Sequence, residues 1–215
     1  MSNPLPRRRH ANPLTHPDFA EATCEDKPEA RILARQLVYD GWYRLFRLTV
    51  EMPDGALAER HLLDNGSAVA VLPYDPARRV VMLIKQPRAG VLDAGEEAIF
   101  EAIAGNLEGA RPEDRIREEA LEEGGLRLGE LIPIANIWPL PPVSTERVQL
   151  YLAHYGREDM VAAGGGAPGE GEHITVFELG LDALAAMVAE GTLTDAKTLI
   201  LAQALLLRLA RERGR

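Results

Sequence analysis

One stretch of the chain constrains its fold more than any other, because it joins a glycine-containing loop to a charged helix. Residues 105–126 read GNLEGARPEDRIREEALEEGGL. Pro112 predicts the first helical residue, since the N–H that proline lacks has no partner in the first turn, and Gly124-Gly125 predicts the end. Ile116 and Ala120 recur at helical spacing among charged residues. The pattern is typical of an amphipathic helix.

This predicted helix carries three glutamates on one face. Glu119, Glu122 and Glu123 stand at i, i+3 and i+4, which brings their side chains within about 5–6 Å of one another. Like charges at this spacing repel, whereas a hard divalent cation that prefers carboxylate oxygens would turn the repulsion into attraction. The alternative is an acidic face that is only solvated, as on many surface helices.

The stretch resembles a Nudix box, the motif G-x5-E-x7-R-E-U-x-E-E-x-G-U of enzymes that hydrolyse nucleoside diphosphates linked to another moiety. Its second half matches without a gap, through Glu119, Ala120, Glu122, Glu123, Gly125 and Leu126.

The first half of the motif departs from the family pattern. The box is one residue shorter between Gly105 and Gly125, and Ala110 or Arg111 stands where the isolated Glu is expected. Glu118 occupies the Arg position, directly after Arg117. This shorter form resembles the branch that hydrolyses GDP-mannose and related nucleotide sugars, in which an Arg one residue early is also found.

The resemblance implies an α/β fold, a Nudix α/β/α sandwich with a mixed β-sheet, over residues 65–215. Residues 31–64 alternate in strands around a Pro53-Asp54-Gly55 turn, which predicts an antiparallel sheet. In similar enzymes such a sheet often exchanges with a second subunit, so we expect a dimerisation element and a homodimer. Residues 1–30 are rich in proline without periodicity and predict an irregular arm.

The resemblance also assigns the metal ligands. Glu119, Glu122, Glu123 and the backbone carbonyl of Ala104 would hold Mg²⁺, with Mn²⁺ as an alternative. Glycine at 105 would allow the turn that directs this carbonyl.

Other site residues follow from the same resemblance. Glu172, in the acidic loop before the last strand, or Glu122 would act on the attacking water, and Glu170 is the second candidate in that loop. Arg88, which follows a core strand in Gln86-Pro87-Arg88, would bind a substrate phosphate or sugar, because a guanidinium suits phosphate oxygens. Arg60 is a weaker candidate for the same role. Glu101 would contact substrate or support the metal region.

Charge and composition narrow the classes of partner. The net charge of −9 argues against nucleic acid or an anionic membrane as the main partner. The single cysteine, Cys24, fits a reducing cytoplasm and excludes an internal disulfide. No apolar run is long enough for a membrane span, so we expect a cytoplasmic protein.

The predicted reaction is Mg²⁺-dependent hydrolysis of the pyrophosphate bond of a nucleoside diphosphate sugar of the ADP-ribose or GDP-mannose type. Its products would be a nucleoside monophosphate and a sugar phosphate. Two alternatives stay open. One is a catalytically silent Nudix-fold module that binds nucleotides, and the other is an acidic helical interaction surface without metal.

Overall fold

The structure is a computed structural model and describes residues 29–166 and 171–213. Cys24, Glu170 and most of the predicted N-terminal arm lie outside the described residues. By its contacts the described chain divides into two compact units. One unit takes in residues 29–35 and 48–60, and the other takes in 36–47 and 61 onward.

The first three strands form a sheet of their own, in the order β1 (Arg31–Asp40), β2 (Arg44–Glu51) and β3 (Leu57–Asp64). These segments are rich in the β-branched, leucine and aromatic residues that suit a pleated surface. Every residue of β1 is exposed. The predicted antiparallel N-terminal sheet is confirmed.

The second sheet is mixed and contains the remaining six strands. The order is β7-β8-β4-β5-β9, and β6 pairs with β4 beside β5. β4 and β8 run parallel, whereas the other pairs are antiparallel. The strands are β4 (Ala68–Asp75), β5 (Val80–Lys85), β6 (Ile103–Asn106), β7 (Leu131–Ile137), β8 (Val148–His154) and β9 (Thr175–Gly180).

Helices cover both faces of this sheet. The described helices are α1 (Ala89–Asp93), α2 (Pro112–Gly124), α3 (Leu181–Glu190) and α4 (Ala196–Arg213), with a single 3-10 turn at Arg157–Asp159. Side chains of β4 alternate between two cores: Ala70 and Leu72 pack with α3 and α4, and Val69 and Val71 pack with α2. All eight residues of β4 are therefore buried. The predicted α/β/α sandwich with a mixed sheet is confirmed.

Two segments differ from the sequence prediction. The loop expected at 89–97 contains the short helix α1, and the strand expected over 98–104 is reduced to an isolated bridge at Glu101 followed by β6. The reason for the shorter strand is local, because the N–H of Ala102 donates to the hydroxyl of Thr198 on α4 instead of to a strand. Among the described residues, no helix is long and apolar enough to cross a membrane.

Candidate active site

The charged helix predicted from the sequence is α2, and its ends form as expected. It begins at Pro112, with Glu113 and Asp114 in the first turn, where carboxylates favour the positive end of the helix dipole. It ends at Gly125, whose φ of 64° is left-handed and therefore suits glycine. A Cβ at this position would also lie 2.2 Å from the carbonyl oxygen of Ala162.

A close approach between β6 and α2 fixes Glu119, which is buried with 6% of its surface exposed. A Cβ built on Gly105 would lie 1.5 Å from Oε1 of Glu119. Glycine thus leaves the space that the carboxylate fills. Arg115, one turn earlier on α2, lies 2.5 Å from the same oxygen.

Glu123 is the most buried of the three glutamates, with 1% exposed. Its Oε2 accepts a hydrogen bond of 3.1 Å from the N–H of Ala104. Burial raises the pKa of Glu123 to about 8, and the negative charges of Glu119 and Glu172 add to the shift. The N–H of Ala104 and the charge of Arg88 act in the opposite direction. The carboxylates therefore share a region with a surplus of negative charge.

The arginine that serves this cluster is Arg115, and the sequence comparison with the box motif did not single it out. Besides Glu119, Arg115 pairs with Glu118 at 3.4 Å and with Glu122 at 3.8 Å. Arg117, which stands nearest to the motif's arginine, instead donates to the carbonyls of Leu128 and Gly129. The spacing of four residues between Arg115 and Glu119 was the available signal.

A second charged cluster surrounds Glu101, which is buried with 3% exposed. Arg88 donates to its two oxygens at 2.8 and 3.1 Å, and Nζ of Lys197 lies 2.6 Å from Oε2. Burial alone would raise the pKa of Glu101, but the hydrogen bonds from Arg88 and the charge of Lys197 outweigh it and hold the pKa below its usual value. Two cations around one carboxylate leave a net positive region.

Both clusters line one cavity of about 940 Å³. All of the predicted site residues except Arg60 lie on its wall, together with Arg115 and Lys197. Arg60 is exposed on β3 and donates to the carbonyl of Glu59. Lys197 was not predicted, because nothing in its local sequence marks a contact 96 residues away. The cavity thus brings acidic and basic groups to the same space.

The glycine-rich segment before Glu172 holds the end of α2. The N–H groups of Gly165 and Gly166 donate to the carbonyls of Glu123 and Glu122, at 2.8 and 3.0 Å. A Cβ on Gly166 would lie 2.6 Å from Oε2 of Glu172. This segment therefore connects the helix that carries two of the glutamates to the loop that carries Glu172.

Similarity to known proteins decides the family. No protein-family model matches the chain. The chain is 33% identical over 171 residues to the GDP-mannose pyrophosphatase of Citrobacter koseri, which covers 79% of this chain and 85% of that protein. It is 30% identical over 176 residues to the GDP-mannose pyrophosphatase of Escherichia coli O9:H4, with 79% and 91% covered. The chain belongs to the Nudix hydrolase family. This Nudix hydrolase is therefore an enzyme, as the resemblance of residues 105–126 implied.

A solved structure supports the fold of this Nudix hydrolase. The crystal structure of an ADP compounds hydrolase superposes with a TM-score of 0.70 over 89% of this chain and 100% of that chain, at 15% identity. At that identity the likeness extends to the fold alone.

Nudix hydrolases generally depend on divalent metal ions, and the residues of this site suit one. In the part of the chain that the structure describes, no three Asp, Glu, His or Cys side chains already converge as metal ligands, since Arg115 and the N–H of Ala104 engage the carboxylates. The donors are nonetheless the hard oxygens that Mg²⁺ prefers. Glycine at 105 keeps clear the space beside Glu119.

Proposed function

We propose that this Nudix hydrolase cleaves the pyrophosphate bond of a nucleoside diphosphate sugar, giving a nucleoside monophosphate and a sugar phosphate. One observation carries the proposal: a single cavity is lined both by the box glutamates and by the cations around Glu101. A nucleotide sugar needs both regions, because its diphosphate is anionic and its distal sugar or phosphate must be held apart. The cavity volume, about 940 Å³, lies within the range of ligand sites.

Glu119, Glu122, Glu123 and the carbonyl of Ala104 would hold Mg²⁺, with Mn²⁺ as the alternative. The bound ion supplies neutralisation of the diphosphate and a lowered pKa for the attacking water. Strand geometry supports the role of Ala104. It pairs with Ala70, yet its N–H donates to Glu123. In an antiparallel pair a residue that does not bond its partner turns both its N–H and its C=O away from that strand.

Glu172 or Glu122 would take the proton of the water that attacks phosphorus. Both line the cavity, and Glu172 lies close enough to Glu123 to affect its pKa. Glu122 is the most exposed of the three box glutamates, with 41% of its side chain accessible. Its oxygens can therefore meet water without first breaking a buried contact. Arg115, which pairs with Glu119 and Glu122, would keep the two carboxylates on the cavity side.

Arg88 and Lys197 would bind the distal phosphate or the sugar, and Glu101 would orient both cations. An acidic chain needs such local cations to accept an anionic substrate. Arg88 keeps 41% of its side chain accessible while bonded to Glu101, so part of its guanidinium stays available to a ligand. Arg60 remains a candidate from the sequence resemblance.

We also propose that the enzyme is a homodimer built through residues 31–64. All of β1 is exposed in the single chain, including Ile32, Leu33, Val38 and Tyr39 at 50–62%. An uncovered strand with large apolar side chains is a surface that proteins normally cover. A second copy of the same sheet is the occupant that the family resemblance favours.

A substrate panel tests the proposed function. Monophosphate release would be measured with Mg²⁺ from ADP-ribose, GDP-mannose, ADP-glucose and dinucleotides. We expect a nucleotide sugar to be hydrolysed, with GDP-mannose favoured by the names of the two relatives and ADP-ribose as the alternative. Release from none of them, together with tight nucleotide binding, would instead identify a silent binding module.

A further inference from the structure

A ring of hydrogen bonds joins the start of α4 to the segment that carries Glu101. The N–H of Ala102 donates to Oγ1 of Thr198 at 2.6 Å, and that hydroxyl donates in turn to Oδ2 of Asp195. The other oxygen of Asp195 lies 3.0 Å from Nζ of Lys197, which bonds Glu101 at 2.6 Å. Because Glu101 and Ala102 are adjacent, the contacts close on themselves.

Thr198 occupies the one position in this ring that no ion pair could replace. It is fully buried, with 0% exposed, and its hydroxyl serves at once as acceptor and donor. Its β-branched side chain restricts χ1. Asp195 also accepts the N–H of Thr198 at 3.0 Å, as a helix cap would. One carboxylate oxygen is thereby fixed toward Thr198, and the other is left for Lys197.

The consequence falls on Lys197, whose stem of four carbons would otherwise sample many rotamers. Only 17% of this side chain is accessible, although it lines the cavity. Its direction is set by Asp195 on one side and Glu101 on the other. Losing either contact would free the ammonium group to leave the wall.

We propose that Thr198 is a positioning residue, which orients Asp195 and thereby holds Lys197 against Glu101 at the wall of the substrate cavity. Its importance for turnover rests on the proposed function, since Lys197 affects catalysis only if the cavity takes a nucleotide sugar. Thr198 itself touches no substrate. Its effect therefore belongs to binding in the ground and transition states alike.

The test compares three variants with the unmodified enzyme. Thr198→Val removes the hydroxyl at constant shape, Thr198→Ser keeps it, and Asp195→Asn retains only one acceptor oxygen for two donors. We expect Val and Asn to raise KM for the hydrolysed nucleotide sugar about tenfold, the equivalent of one oriented hydrogen bond to a charged group, with kcat changed far less. Ser should remain close to the unmodified enzyme.

A second readout does not depend on activity. The chain has only three lysines, Lys27, Lys85 and Lys197, so acylation of each by an amine reagent can be followed by peptide mass spectrometry. Lys85, whose ammonium lies over the ring of Phe100, is the internal reference. We expect Lys197 to be acylated several-fold faster, relative to Lys85, in the Val and Asn variants but not in Ser.

The outcomes separate this inference from the proposed function. Unchanged labelling of Lys197 and unchanged KM in the Val or Asn variant would overturn the inference, as would a Ser variant that behaves like Val. Should Val fail to fold, Asp195→Asn decides, because Asp195 is only partly buried. An enzyme that cleaves no nucleotide sugar would refute the proposed function, whereas the labelling would still decide the role of Thr198.

Discussion

Adding a single methyl group at Gly105 should separate the activity of this enzyme from its stability. In Gly105→Ala the new Cβ would lie 1.5 Å from Oε1 of Glu119, 2.1 Å from its Cδ and 2.5 Å from its Cγ. An ordinary contact is at least 3.4 Å, so the carboxylate must retreat by about 2 Å. The atoms that move are the end of a flexible side chain, and the backbone of β6 can stay in place.

The two effects differ greatly in size. Glu119 would lose its contact with Arg115, worth about 1 kcal/mol net, and alanine in a strand regains about 0.5–1 kcal/mol over glycine. We therefore expect the free energy of unfolding to fall by less than about 1 kcal/mol. A metal ligand displaced by this distance should lower kcat/KM about a hundredfold or more, since misplacement by even about 1 Å has that effect.

Urea unfolding and steady-state hydrolysis of a nucleotide sugar with Mg²⁺ measure the two quantities. Gly180→Ala is the matched control, because its Cβ would meet no atom within 4 Å and its φ is −64°. We expect that control to keep both stability and activity. Full activity in Gly105→Ala, or a loss of activity that merely follows unfolding, would refute the role given to Glu119.

Three further predictions address substrate, charge and assembly. Arg88→Ala should raise KM for a nucleotide sugar more than it lowers kcat, and an unchanged KM would reduce Arg88 to a structural ion pair. Glu101→Gln should lower the free energy of unfolding at pH 7 by about 2 kcal/mol, less than for a fully buried pair because Arg88 is partly exposed. Because the pKa of folded Glu101 is held below the 4.5 of the free group, its stabilisation is complete above pH 4.5 and is lost as the pH falls through the folded-state value. The difference from the unmodified enzyme should therefore close in acid, and a gap independent of pH would contradict the assignment. The full chain should sediment as a dimer at micromolar concentration, and a chain starting at Ser67 should be insoluble or unfolded; a well-folded, active monomer from it would refute the exchange.

The sequence predicts those parts of the fold that depend on local pattern. Pro112 and Gly125 bound α2 in the structure as proline and glycine rules require, and the apolar runs around the turn at 75–78 become β4 and β5. Each of these features depends on residues that are neighbours in the chain. The Nudix resemblance extended the prediction to the layered arrangement of the whole domain.

Contacts between distant segments could not be predicted in this way. Lys197 meets Glu101 across 96 residues, and only the packing of α4 against the sheet brings them together. Local competition also escaped the pattern, because Ala102 gives its N–H to Thr198 and so shortens the strand expected at 98–104. Arg115 was overlooked for a different reason: Arg117 stands nearer to the motif position, but its side chain turns to the carbonyls of Leu128 and Gly129.

The most direct test of the central claim is a Mg²⁺ titration of nucleotide-sugar hydrolysis by the unmodified enzyme and by Glu123→Gln. Glu118→Gln is the matched control, since it makes the same change on the same helix at a side chain that is 61% accessible. The account predicts Mg²⁺-dependent turnover for the unmodified enzyme and the control, and loss of turnover at nearly unchanged stability in Glu123→Gln. Near-full activity of Glu123→Gln, or turnover that persists without any divalent ion, would contradict it.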